Sequence, residues 1–80
     1  MRCQDYDYIE IACLYHYPVS VTLASGEMLE GQARDTYWND AREECLVLVS
    51  DAGEQEVLLS QVRQLDVLVE NPHFRSVRFN

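Results

Sequence analysis

The side chains best suited to metal binding or catalysis lie mostly within the first sixteen residues of the chain. Cys3, Cys13 and His16 offer two thiols and an imidazole, and Cys45 and His73 follow later. Together these residues are enough in number to hold a zinc ion. Structural zinc sites usually present two paired ligand motifs, however, and no second pair follows the first. We therefore predict no metal site.

A cysteine close to a histidine is also the arrangement of a nucleophile and its base, which Cys13 and His16 could provide. Such a pair needs a third group that orients the base and donors that stabilise an oxyanion. The sequence offers no motif for either. A packed domain of this length also leaves little room for a substrate cleft. We predict that the protein is not an enzyme and carries no cofactor.

Charge gives the most direct indication of function. The chain has 14 acidic residues against six arginines and no lysine, and residues 1–70 hold all 14 acids with four of the arginines, a net charge of −10. Affinity for nucleic acid depends on Lys and Arg displacing counterions from phosphates, so we expect no direct binding of nucleic acid. A basic protein surface would instead be attracted. The alternative is that the acidity serves solubility alone.

The element expected to position the first acidic residues is a helix over about residues 5–16. Asp7 and Glu10 fit a capping box, in which an N-cap Asp precedes a Glu by three positions, although Asp5 could be the cap instead. Pro18 ends the helix, because the residue before a proline is pushed out of the α region. Helical spacing forms an apolar stripe of Ile9, Ala12, Cys13 and His16, and sets Asp7, Glu10 and Leu14 on another face. A strand over the same residues is the alternative.

After Pro18 the apolar period changes to two, which is typical of half-buried strands. Short alternating runs separated by turn residues predict five or six antiparallel strands. In the second run five alternating residues are expected to share one face: Leu29, Gly31, Ala33, Asp35 and Tyr37. A glycine inside a strand also predicts a bulge or bend at that position.

Twisted strands of this kind tend to close into a small barrel, which removes exposed sheet edges. The predicted fold is therefore mainly β, a small antiparallel barrel of five to six strands with one N-terminal α-helix. The barrel covers about residues 18–70 of a single domain, residues 1–80. A C-terminal tail, residues 71–80, adds a last edge strand or hangs loose.

Two segments of the barrel resemble the sequence motifs of Sm-like proteins, which include the bacterial RNA chaperone Hfq. The first is carried by Val19, Val21, Leu23, Gly26, Leu29 and Gly31, and the second is VLLSQVRQLDVL, residues 57–68. The resemblance implies an Sm-like barrel and an alternative function, an RNA-binding module that forms rings. Tyr37 and Trp38 could then stack on bases or simply end a strand. The second segment lacks the Lys-His type of basic pocket seen in Hfq.

The N-terminal residues resemble a more specific family, the Rho-binding antiterminators, called Rof or YaeO. Its pattern is matched by Cys3, Asp5, Tyr6, Asp7, Glu10, Ala12, Cys13 and His16. The match is specific over residues 3–35 and looser through Glu70. The resemblance implies a protein that binds the transcription termination factor Rho at the primary RNA-binding site in its N-terminal domain, and so inhibits termination. An acidic adaptor for another basic protein is a further alternative.

Two groups of residues are candidates for contact with such a partner. The first group comes from the helix: Asp5, Tyr6, Asp7, Glu10 and Leu14. A carboxylate pair one helical turn apart can accept charge-assisted hydrogen bonds from Arg or Lys, and a neighbouring tyrosine can stack. The second group belongs to the polar loop 39–44: Asp40, Glu43 and Glu44.

The remaining expectations concern location and assembly. No apolar run approaches the roughly 20 residues that span a bilayer, and no basic segment precedes an apolar one as in a signal peptide. An odd number of cysteines without regular spacing favours free thiols in a reducing compartment. We expect a cytoplasmic monomer without membrane contact.

Overall fold

A computed structural model describes residues 2–79 as one helix and a six-stranded antiparallel sheet. The elements are α1 (Cys3–Leu14), β1 (Pro18–Leu23), β2 (Met28–Trp38), β3 (Glu44–Ser50), β4 (Gly53–Leu58), a 3₁₀ turn (Leu59–Gln61), β5 (Val62–Val67) and β6 (Ser76–Arg78). The predicted mainly β fold with one N-terminal helix is confirmed. Its strand order is β4-β3-β2-β1-β5-β6, so no ladder closes the sheet between its two edges. In the described residues no helix is long and apolar enough to cross a membrane.

Helix α1 begins and ends two residues earlier than the sequence predicts. The N-cap is Arg2. The carboxylate of Asp5, at the third helical position, accepts a hydrogen bond from the backbone N–H of Arg2 over 3.3 Å. The capping box predicted at Asp7 and Glu10 is therefore wrong, because the reciprocal pair lies upstream and both residues are inside the helix. Arg2 is not among the usual capping residues, which hid this start.

The end of α1 is set by His16 and not by Pro18. His16 has a φ of 53°, in the left-handed region. This turn lets the backbone N–H of Tyr17 reach the carbonyl of Ala12 over 2.9 Å, and that of His16 reach Cys13 over 3.2 Å. The pattern is a Schellman motif, in which glycine is the usual left-handed residue. Because the His16 side chain is exposed and lies beyond the end of α1, it is not part of the apolar stripe.

The core lies between α1 and the sheet. Helix α1 contributes Ile9 and Ala12, both almost fully buried. The strands contribute Val19, Val21, Ala33, Leu46, Leu48, Val57, Val62, Leu65 and Val67, and the 3₁₀ turn adds Leu59. The C-terminal segment is also tied down, since Phe79 is buried and its N–H donates to the carbonyl of Arg63 over 2.8 Å. Residues 76–78 thus form an edge strand on β5.

A bulge divides β2 into two parts. Ala33 pairs with Leu48 of β3, but the next pair is Asp35 with Val47, which leaves Arg34 as an extra residue. An extra residue reverses the alternation of faces along the strand. The prediction that Asp35 and Tyr37 continue the face of Ala33 is therefore wrong.

The face that continues from Ala33 instead carries Thr36 and Trp38. These residues pair with Leu46 and Glu44 of β3, and Leu46 belongs to the buried core. Trp38 therefore lies on the core-facing side of the sheet, but beyond the end of the core, where it is exposed.

Gly31 lies where β2 and β3 approach closely. A Cβ atom at this position would lie 3.1 Å from the Leu48 Cβ and 3.1 Å from the Val49 carbonyl oxygen. Both atoms belong to a strand with partners on both sides, so neither can easily move. We expect Gly31→Ala to lower the free energy of unfolding by about 1–3 kcal/mol in urea denaturation.

The control for Gly31→Ala is Gln32→Ala, at the next, exposed position of β2. This change should stay within about 0.5 kcal/mol of the unmodified protein. Equal stability of the two variants would contradict a close approach at Gly31.

Candidate partner-binding surface

The outward side of α1 carries two carboxylates one helical turn apart. Asp7 and Glu10 are exposed, and with Ile11 and Leu14 they line a shallow groove of about 460 Å³. We call these four residues the outer helix face. Leu14 is 70% exposed, which is unusual for a leucine in a small domain. Within the described part of the chain the single ion pair lies elsewhere, so both carboxylates are unpaired there.

Asp5 differs from the other acidic residues of the helix. Its side chain is only 6% exposed, and one carboxylate oxygen lies 3.5 Å from Nε of Arg2 in addition to accepting the Arg2 backbone N–H. The carboxylate therefore stabilises the start of α1, where it also faces the positive end of the helix dipole. A residue buried in this way is not available for direct contact, so we leave Asp5 out of the proposed surface.

The role of Asp5 at the helix start predicts a stability effect. Asp5→Ala should lower the free energy of unfolding by about 1 kcal/mol, because the N-cap N–H loses its acceptor. Asp7→Ala is the matched control on the same helix, and its exposed side chain should change stability by less than about 0.5 kcal/mol. Thermal unfolding followed by circular dichroism measures both. A larger loss for Asp7→Ala would place the capping carboxylate at Asp7.

Tyr6 turns away from the outer helix face and toward the β2–β3 loop. It lines a concavity of about 250 Å³, which we call the loop-side concavity, and is half-buried there. The other lining residues are Trp38, Glu43, Glu44, Leu59 and Ser60. Tyr6, which we had expected to stand beside the helix carboxylates, lies instead with Glu43 and Glu44 of the second predicted group.

The loop that carries the second acidic group is held by Asn39. Its side-chain oxygen accepts hydrogen bonds from the N–H groups of Ala41 and Glu43, each over 2.9 Å. The Asn39 N–H donates to the Glu43 carbonyl over 2.9 Å, and Arg42 adopts a φ of 62° to close the turn. The loop backbone is therefore defined by hydrogen bonds before any partner arrives.

Asp40 lies on the other side of Trp38 from Glu43 and Glu44. It lines a second concavity of about 460 Å³, the outer concavity, with Tyr37, Trp38, Asn39, Ala41 and Glu56. A hydrogen bond to Glu56, aided by desolvation, raises the pKa of Tyr37 to about 12. The Tyr37 hydroxyl therefore stays protonated at neutral pH.

Two of the three thiols, those of Cys13 and Cys45, are poorly suited to nucleophilic chemistry. Burial, with further contributions from Asp35 and Glu10, raises the pKa of Cys13 to about 11. Burial also raises the pKa of Cys45. Both side chains are therefore protonated at neutral pH, whereas a nucleophilic cysteine acts as a thiolate. The His16 ring nitrogen Nδ1 lies 3.3 Å from the carbonyl oxygen of Ala33 and does not form a pair with Cys13.

Trp38 is a prominent surface residue that was not among the predicted partner contacts. Its indole is 65% exposed, and it stands between the loop-side concavity and the outer concavity. The alternating pattern predicted that Tyr37 shares the face of Ala33, whereas the bulge places Trp38 on that face. The signal that could have corrected this is the polar Arg34-Asp35 step, which interrupts the apolar face of β2.

Comparison with known proteins identifies the family of this chain and a similar solved structure. A family model described as "Modulator of Rho-dependent transcription termination (ROF)" matches residues 1–79. The structure of YaeO bound to magnesium from Vibrio cholerae O395 is similar, with a TM-score of 0.89 and 40% sequence identity, covering 94% of this chain and 97% of that one. No curated protein matches the chain significantly. Within residues 2–79 no group of three or more His, Cys, Asp or Glu side chains is placed to hold a metal ion.

Proposed function

Because this chain belongs to the Rof family of modulators of Rho-dependent transcription termination, we propose that it inhibits termination by binding Rho directly. Binding takes place at the primary RNA-binding site in the N-terminal domain of Rho, and RNA is thereby excluded. The inhibitor acts by occupying a site, without catalysis. It acts as a monomer in the cytoplasm.

The observation that carries this proposal is that two carboxylates on the outer helix face form no ion pair within the described residues. A site for single-stranded RNA combines cationic groups, which bind phosphates, with platforms on which bases stack. Asp7 and Glu10 present negative charge one turn apart on a rigid helix. They can accept charge-assisted hydrogen bonds from the Arg or Lys side chains that otherwise bind phosphates. Leu14 extends the same face with exposed apolar surface.

An aromatic side chain could take the place of an RNA base, as the carboxylates take the place of phosphates. Tyr6 lies in the loop-side concavity beside Glu43 and Glu44, so a ring is combined with carboxylates as a base is combined with phosphates. The net charge of −8 for the whole chain steers it toward a basic site. Because such attraction is screened over about 8 Å at physiological salt, binding to Rho should weaken as salt rises.

The test of this function is a Rho-dependent termination assay with purified protein. We expect transcripts to read through the terminator in proportion to added protein, and RNA to be displaced from Rho in a filter-binding competition. A gel shift with U-rich RNA and the protein alone serves as a control. Retardation of that RNA by an oligomer, without any effect on Rho, would favour the ring-forming RNA-binding module instead.

A further inference from the structure

Trp38 exposes a large apolar ring at the rim of an acidic surface. The bulge at Arg34 brings Trp38 to the core-facing side of β2, past half-buried Thr36 and its buried partner Leu46. The ring is not needed to fill the core, which is closed beneath it by buried residues such as Leu59. An indole left 65% exposed therefore has free surface for a partner.

The surroundings of the indole are negative on both sides. On one side, the loop-side concavity carries Glu43 and Glu44 together with the ring of Tyr6. On the other, the outer concavity carries Asp40 and Glu56. In the described residues none of these carboxylates forms an ion pair. A flat π face edged by unpaired carboxylates has the chemistry that binds a guanidinium or an ammonium group.

We propose that Trp38 is a docking post for a basic side chain of Rho, an arginine or a lysine that stacks on the indole while Glu43 and Glu44 accept its hydrogen bonds. The inference rests on the proposed function, and it adds a second contact to the outer helix face. Charge complementarity selects this occupant, because Glu43 and Glu44 share one concavity with the ring and Asp40 shares the other. An apolar or acidic segment would have to displace the hydration of these carboxylates without compensation.

The backbone that carries Trp38 is held in place before binding, which limits the conformational entropy lost on association. Trp38 is the last residue of β2 and pairs with Glu44 of β3, so the backbone beneath both side chains is held by the sheet. The Asn39 hydrogen bonds hold the loop next to it, and Tyr6 closes the far wall from α1.

The chain contains one tryptophan, so its fluorescence reports on this site alone. Any tryptophans of Rho itself add a background emission that grows as Rho is added. A parallel titration of Trp38→Phe with Rho measures this background, which is then subtracted. We expect saturable quenching or a shift of the Trp38 emission when Rho is added. Trp38→Ala should weaken binding about tenfold in a calorimetric titration, the equivalent of a partly desolvated cation–π contact.

Met28→Ala is the matched control for Trp38→Ala. Met28 is the first residue of the same strand, at the opposite end of β2, and its side chain is 62% exposed. This variant should bind Rho like the unmodified protein. Glu43→Gln combined with Glu44→Gln should weaken binding without unfolding the chain, and Trp38→Phe should retain part of the affinity.

The outcomes separate the docking post from the proposed function. Binding of Rho with unchanged Trp38 emission, and equal affinity of Trp38→Ala and Met28→Ala, would overturn the docking post and leave the function intact. Absence of any Rho binding by the unmodified protein would overturn the function itself. A tenfold loss specific to Trp38→Ala, together with a change in emission, supports the post.

Discussion

Replacement of both Asp7 and Glu10 by lysine is expected to weaken binding to Rho by about a hundredfold and to abolish inhibition of termination at matched concentrations. Each change removes an acceptor for a basic side chain and places a like charge in its position, at roughly 1–2 kcal/mol for each site. Both residues are exposed on the outer helix face, and lysine is a good helix former. The fold should therefore survive, as circular dichroism would show.

A control with the same change in net charge is available at the β3–β4 turn, outside the outer helix face. Asp51 lies in the β3–β4 turn and Glu54 follows it on β4, and both are exposed. Asp51→Lys with Glu54→Lys should slow association slightly through the altered overall field, but should retain most of the affinity. If both double variants lost affinity equally in calorimetry, only net charge would matter and the outer helix face would not be the contact.

Ile9→Ala should have the largest effect on stability. Ile9 is fully buried and joins α1 to the core of the sheet. Truncation of an isoleucine at such a site costs about 2–5 kcal/mol, from lost burial and from the cavity that remains. A small domain has a total stability of only about 5–15 kcal/mol. We expect a large drop in the urea midpoint and loss of the outer helix face as α1 detaches.

Ile11→Ala provides the comparison on the same helix. The two substitutions change helix propensity equally, but Ile11 is only half-buried and lines the groove of the outer helix face. Its truncation should cost less than half as much stability. Similar midpoints for both variants, measured by circular dichroism, would mean that α1 is not held to the sheet through Ile9.

Regular features of this fold follow from the sequence, whereas its irregular features do not. Alternation after Pro18 predicts the strands, and the pattern shared with the Rof family predicts the fold. His16 at a Schellman position, Arg2 at the N-cap and an extra residue at Arg34 are all uncommon choices. The His16 turn and the bulge involve contacts with β2 and β3, whereas the Arg2 cap is a local pair with Asp5 made by an unusual capping residue. Each shifted a boundary or a face.

The candidate surface likewise has one part that follows from the sequence and another part that does not. Helical spacing alone places Asp7, Glu10 and Leu14 on one exposed face, as the structure has them. Spacing could not show that Asp5 is buried, since it falls near the start of a helix whose N-cap was misplaced. Nor could it bring Tyr6 to Glu43, because that proximity depends on how α1 crosses the end of β2.

The bulge in β2 has a consequence for how this protein can change over evolution. Arg34 has no partner in β3, whereas Ala33 and Asp35 pair with consecutive residues, Leu48 and Val47. Deletion of Arg34 would therefore leave every other pairing of the strand in place, and Trp38 would remain opposite Glu44. An insertion or deletion elsewhere in β2 would exchange its buried and exposed faces. Within β2, a change in chain length at Arg34 can thus be absorbed without exchanging the faces on either side of the bulge.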